Sequence, residues 1–439
     1  MLQLIFYQFQ FSKKQWSSMI PLFLVSGIIV GLSLNGIFTI REILHASQVN
    51  DPIPIFVFPI VFGGITLFFT ISTAIQLLID TFKKDYELWD LLGANRTQIS
   101  LLVGGQLALI ASLASLLGYI ISIPSTHHYY YFLQQFFGKD WIPDIPLHFN
   151  LLAGASSIAI LTSLAFLSGL FHTRKILKAQ DKKQNKVTRF FRVIPKITIG
   201  LICLSLEAYL INQIFQPNTM INKSLFLFYL LFTNLFLINL LSPYLQVFLI
   251  RAYSAMFFRK HYAPIIARWT ILHRTLYLKS LNTSILSAIT LIAGFQLLSQ
   301  NIFYLFQENA DLELKISFFI YLGAPLLIIL SNIISITLLS IEKEKENKSQ
   351  LDTLGVSLYH LCIIKLWEAF IHCLTIFFVA FCINSLFLLL IRSILIENHQ
   401  NLANRSGLFL PGLMICCILF LMLFLTNISG NPFTKGNDA

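Results

Sequence analysis

Ten apolar runs, each close to the roughly 20 residues that a helix needs to cross a bilayer, set the architecture this chain can adopt. They extend over Met19–Ile40, Ile53–Leu78, Ser100–Ile123, Leu151–Phe171, Ile197–Phe215, Leu225–Leu249, Ser284–Phe303, Ile316–Leu339, Leu366–Ile391 and Gly407–Leu425. Only 12% of the residues are charged, against about 25% in an ordinary soluble chain. Mean hydropathy is +0.74. The runs predict an all-α, polytopic integral membrane protein.

The net charge of +11 does not point to nucleic acid, because the basic residues lie in short segments between apolar runs. With the N-terminus inside, the outer segments hold only Arg41, Lys139, Lys223, Lys315, Arg392 and Arg405 of the 31 Lys and Arg. This asymmetry predicts a multi-pass protein of the bacterial cell membrane with both termini cytoplasmic. Lys13 and Lys14 precede a run too long for the ~7–15-residue core of a cleaved signal, so that run reads as a retained first span. The stretch Thr173–Lys196 is the most basic and reads as a cytoplasmic linker, either solvated or lying on anionic headgroups. Six cysteines show neither CxxC nor Cys/His ligand spacing, and no metal site is expected.

A charged, glycine-broken turn, ELWDLLGANRTQISLL (Glu87–Leu102), returns as SQLDTLGVSLYHLCII (Ser349–Ile364). Asp90, Leu92 and Gly93 pair with Asp352, Leu354 and Gly355 at one offset, and Gly31 in the first span meets Gly294 in the seventh at nearly the same offset. Spans one to four therefore recur as spans seven to ten in a parallel repeat. The expected organisation is a four-span unit over 1–172, a linker over 173–196, a two-span spacer over 197–250, a second four-span unit over 251–425 and a cytoplasmic tail over 426–439.

Locally, Asp85–Leu92 suits a short helix, Gly93 suits a left-handed helix stop, and Asn95 with Gln98 forms a capping box for the next helix. In the second copy Ser357 is the cap, and His360 stands where the box wants Glu or Gln. Each copy predicts a short cytoplasmic helix, a sharp stop and the start of a span.

The segment from Glu87 to Ser122 resembles the signature of FtsX-like permeases, the membrane subunits of ABC transporters of the MacB, LolC and BceB type. The shared pattern is a charged approach, Leu-Gly-Ala, a polar residue, Ile, and then a span carrying Glu and small residues. The family's Glu falls at Gln106 in the first copy and at Glu368 in the second. The 4 + 2 + 4 layout is most similar to BceB, although the loop at about Leu305–Lys315 is too short for that subunit's large extracellular domain. The resemblance implies that Asp85, Glu87, Leu88, Trp89, Asp90, Leu92 and Gly93, with Asp352, Leu354 and Gly355, couple to a separate cytoplasmic ATPase, two copies per chain. No GxxxxGK[ST] occurs, so ATP and Mg are expected on that partner, and this chain is expected to be a non-catalytic subunit binding no cofactor. The implied task is export, expulsion or extraction of an amphiphilic substrate such as an antimicrobial peptide, a bacteriocin or a lipid.

Two alternatives stand beside this reading. An ion-coupled secondary transporter would rest on Glu207, which lies mid-span and is expected to hydrogen-bond Asn234 or Asn239. A non-transporting sensor or scaffold subunit would work through its spans with a histidine kinase. The small-residue stripes Gly104, Ala108, Ser112, Ser115, Gly118 and Gly154, Ser157, Ser163, Gly169 predict close helix packing. The outer segment Pro124–Asn150 reads as an interfacial helix. Alternatively, Tyr129, Tyr130, Tyr131, Phe136, Phe137 and Trp141 form a contact surface for substrate or lipid. The N-terminal Met1–Trp16 reads as an amphipathic elbow under the inner leaflet.

Overall fold

A computed structural model describes residues 13–44, 53–138, 142, 144, 148–180, 186–216, 219–256, 261–302, 310–353, 357–397 and 405–429. Among these the only regular secondary structure is helix, with no strand. The helices are α1 (Lys13–Ser17), α2 (Ile20–Leu44), α3 (Ile53–Thr81), α4 (Lys83–Leu91), α5 (Arg96–Phe137), α6 (Leu151–Gln180), α7 (Lys186–Phe215), α8 (Met220–Met256), α9 (Tyr262–His273), α10 (Thr275–Asn301), α11 (Ala310–Thr353), α12 (Leu358–Glu397) and α13 (Ser406–Ser429). Nine described segments are long and apolar enough to cross a membrane, and α13 carries the shorter apolar stretch Gly407–Leu421. The protein is an all-α polytopic membrane protein.

The chain divides into two compact units, one of Met1–Lys182 with Lys315–Leu339, the other of Lys183–Leu314 with Ser340–Ala439. In the first, α2, α5 and α6 pack pairwise, and α3 joins α2 and α6. In the second, α10, α12 and α13 pack pairwise, α8 joins α10, and α7 lies on α8. The triangle α2–α5–α6 thus recurs as α10–α12–α13, the packing counterpart of the sequence repeat.

The compact units differ from the sequence division in two places. The spacer helices α7 and α8 belong with the second repeat, and the middle of α11 belongs to the first unit. There the amide of Leu22 donates to Ser335 Oγ at 3.2 Å, Phe58 meets Tyr321 at 5.0 Å, and Ala324 stands beside Gly63. The basic linker is also shorter than expected. Helix α6 runs on to Gln180 and α7 starts at Lys186, since Lys, Arg, Gln and Ala are good helix formers once a span has nucleated the helix.

The small residues divide their work between partners. A Cβ on Gly118 would lie 2.5 Å from the Leu24 carbonyl, and one on Gly27 would lie 2.9 Å from Ser115 Cα, so α2 and α5 touch backbone to backbone. Lower on the same helix, Gly104 meets Leu170 and Phe166 of α6, and Gly169 meets Gly104 Cα. One stripe on α5 therefore serves two neighbours. At the other end of α6, Asn150 caps the helix by accepting from the amides of Leu152 and Ala153 at 3.0 and 3.2 Å. Its carbonyl accepts from the Tyr119 hydroxyl at 2.6 Å, its amide donates to Asn35 Oδ1, and its side chain donates to Glu42.

Candidate functional site

The first turn has the expected form. Helix α4 is nine residues long and ends in a Schellman motif: the Gly93 amide donates to the Asp90 carbonyl at 3.1 Å and the Ala94 amide to the Trp89 carbonyl at 3.0 Å. Gly93 sits at φ +91°, where a side chain is strained. Asn95 then opens α5 with a capping box, accepting from the Thr97 amide at 3.1 Å and donating its own amide to Gln98 Oε1 at 3.4 Å. Across the turn, Arg96 forks onto Asp90, with Nη2–Oδ2 at 3.2 Å and Nε–Oδ1 at 3.3 Å.

What holds the short helix in place is aromatic. Trp16 of α1 stacks on Phe82 at 5.4 Å, Phe82 meets Tyr86 at 6.1 Å and Tyr86 meets Trp89 at 5.8 Å. Trp16 and Tyr86 are fully buried. Burial, with the Asp85 charge beside it, raises the Tyr86 phenol well above its ordinary value, so it stays neutral. The opposite face is open: Leu88 is 56% exposed, Leu92 77% and Leu91 88%. Asp85 is exposed, and Glu87 pairs with Lys83 at 3.8 Å. A helix pinned on one side and bare with leucines on the other, joined through a rigid stop to a span, can pass a push to that span.

The second copy departs from the first. No separate short helix precedes its turn, because α11 is continuous from Ala310 to Thr353 and includes Glu346 and Asp352. The first copy breaks at Thr81–Phe82, whereas the second carries IEKEKENKSQ, in which Glu and Lys favour unbroken helix. Leu354 and Gly355 lie outside the described residues. Beyond them the Leu361 amide donates to the Ser357 carbonyl at 3.1 Å as α12 begins. His360 there does not serve a capping box but hydrogen-bonds the Tyr262 hydroxyl of α9.

Glu368 and Gln106, matched by the repeat, are both buried. Glu368 Oε2 pairs with Lys365 Nζ at 2.6 Å, one turn earlier on α12. Also on this face, His372 Nδ1 lies 2.7 Å from Asn282 Oδ1 of α10. In α5 the residue matching Lys365 is Val103, which is buried beside Gln106. Glu207 does not make the expected contact. The side chains of Asn234 and Asn239 donate instead to Leu230 and Leu235, the carbonyls one turn back in their own helix, a bond that asks for no second helix. Glu207 Oε1 is buried without a partner among the described residues.

The outer segment is a correction. Helix α5 runs unbroken through Pro124 to Phe137 over 42 residues, about 63 Å at 1.5 Å per residue. Over Pro124–Phe137 the segment continues the helix of the third span and forms no separate interfacial helix. Its aromatic residues accordingly face different ways. Tyr130 is only 1% exposed, stacked on Phe56 at 6.1 Å in a core with Ile40, Leu133, Ile142, Ile316 and Ile320. The Tyr129 hydroxyl donates to the Ile55 carbonyl at 3.3 Å, and Phe136 packs against the same core. Tyr131 is exposed, Phe137 is the last residue of the helix, and Trp141 lies outside the described residues. Tyr130→Ala should therefore cost stability, on the order of 3–5 kcal/mol as for other large-to-Ala core truncations. It should appear as reduced membrane yield and a lower melting temperature. A variant of normal stability would return Tyr130 to the contact surface.

Sequence reasoning missed Trp16, Phe82, Tyr86, Lys365 and Asn150. It also passed over Gly27-x-x-x-Gly31, a helix-packing motif that identifies the α2 face meeting α5. Comparison of the chain with family models, with curated proteins and with solved structures finds no match.

Proposed function

We propose that this chain is the transmembrane permease subunit of an ABC transporter of the cell membrane, coupling a separate cytoplasmic ATPase to movement of an amphiphilic substrate. The observation that carries the reading is the bare leucine face of α4, braced by Tyr86 and by the Asp90–Arg96 pair and set directly before a span. Surface-exposed leucines flanked by Asp85 and Glu87 suit a soluble partner better than lipid. ATP and Mg would sit on that partner, with one ATPase at each turn and both termini on the same side. A peptide, bacteriocin or lipid cargo follows only from the resemblance to FtsX-like permeases.

The test is purification of the tagged chain from its native membranes with its neighbours attached. The expected result is a P-loop ATPase at two copies per chain. Leu91→Glu should leave yield unchanged, because a surface substitution typically moves stability by no more than about 0.5 kcal/mol, and should strip the ATPase. Gly93→Val should likewise uncouple, since a β-branched residue resists the left-handed stop. Association and ATP-dependent function that survive both changes at matched membrane levels would refute the coupling role of the first turn.

A further inference from the structure

Helix α9 has two apolar faces, and among the described residues only one is covered. Ala263, Ala267 and Ile271 pack in a core with Ile250, Leu278, Ile364 and Ile371. The opposite stripe, Tyr262, Ile265, Ile266 and Trp269, is exposed. Its spacing of i, i+3, i+4 and i+7 marks one face of a helix, and an apolar face of this kind needs an occupant.

The position of α9 says which occupant. A single residue, Arg274, separates its end from Thr275, where the membrane span α10 begins. The stripe therefore lies next to the start of a candidate membrane span. Trp and Tyr among aliphatic residues are the composition that sits at headgroup level, and the exposed His261 and His273 at the two ends, with Arg274 beyond, suit a polar and anionic boundary. The Tyr262 hydroxyl is hydrogen-bonded to His360 at the start of α12, which fixes the roll of the helix at its first turn. The repeat agrees: its offset puts Ala263–His273 in register with Met1–Phe11, whose sequence also reads as an amphipathic elbow.

We propose that α9 is a membrane-surface anchor, with Tyr262, Ile265, Ile266 and Trp269 seated in the headgroup–acyl boundary of the leaflet where α10 begins. This does not depend on the transport reading. It would fix the start of the second repeat against the bilayer, so that the α12 end bonded to Tyr262 has a stationary reference.

Tryptophan emission tests it on the full chain in lipid nanodiscs. Trp269→Phe keeps an aromatic ring at the site, so the difference between wild type and variant isolates Trp269. The discs carry lipids brominated either high on the acyl chain or near its end, and iodide is added from the water. The expected result is loss of most of the Trp269 emission with the shallow bromolipid, less with the deep one, and little with iodide. Ile265→Glu with Ile266→Glu should shift the Trp269 emission to longer wavelength and open it to iodide. Quenching by iodide but not by bromolipid would overturn the proposal in favour of a bare face. Protection from all three would do so in favour of a protein cover, such as a second copy. Strongest quenching by the deep bromolipid would mean that the helix is immersed, which also overturns it.

Discussion

Lys365→Met is expected to destabilise the protein by about 3–5 kcal/mol, the cost of removing one partner from a buried ion pair. Lys365 and Glu368 are both less than one-tenth exposed, and their charged atoms lie 2.6 Å apart. Lys365 stands seven residues into α12, about 10 Å along its axis. At that depth the ammonium is the near counterion of the carboxylate, and without it a charge is left in a medium that solvates it poorly. The first repeat indicates the rescue. At the matching positions it carries Val103 and Gln106, a neutral pair that is equally buried. Lys365→Val combined with Glu368→Gln should therefore recover most of what either change loses alone, giving a strongly non-additive cycle. Thermal unfolding of the purified variants, with membrane yield alongside, measures this. Single variants as stable as the wild type would mean that Glu368 is held by other groups and that the pair contributes nothing.

Reading the spans from hydropathy worked because lipid imposes length and polarity on a helix whatever its neighbours are. The first turn was legible for a different reason: Gly93, Asn95 and Gln98 act on their own backbone within five residues, so no tertiary knowledge was needed. The second turn was misread at its approach. Its Asp-x-Leu-Gly matches the first, but what decides a separate helix lies about ten residues earlier, in Thr81–Phe82 against Lys343–Glu344. Facing was the least legible quantity. Four consecutive aromatic residues, Tyr129 to Phe132, give no periodic signal, and only the packed structure separates the buried Tyr130 from the exposed Tyr131. Pro124 read as the end of a span, yet within a long apolar helix one missing amide is tolerated. The pairing of Lys365 was invisible to hydropathy because a single Lys near the start of a run looks like a flank. The allocation of the middle of α11 to the first unit is a tertiary choice that no local pattern encodes.

Gly118→Val should be among the most damaging single changes in the first unit. The new Cβ would meet the Leu24 carbonyl oxygen at 2.5 Å and Gly27 backbone atoms at 3.0 Å. None of these atoms can rotate away, so α2 and α5 would have to separate along the contact that Gly27 and Gly118 share. Overpacking of a well-fitted contact costs about 1–3 kcal/mol and more when backbones must move. In lipid the loss is aggravated because close packing, rather than water exclusion, holds helices together. Gly31 offers a graded comparison: its new Cβ would press on Ser122 Oγ, a side chain that can turn, so Gly31→Ala should cost less. Gly64 in α3 is the control, with no neighbouring atom within 4 Å of an added Cβ. Gly64→Ala should be neutral or stabilising by ~0.5–1 kcal/mol, the ordinary gain of replacing a mid-helix glycine. Melting temperatures for the three variants should order Gly64→Ala highest, Gly31→Ala next and Gly118→Val lowest. Equal values for Gly64→Ala and Gly118→Val would mean that α2 and α5 do not meet through their glycines, and that the small-residue stripe on α5 serves α6 alone.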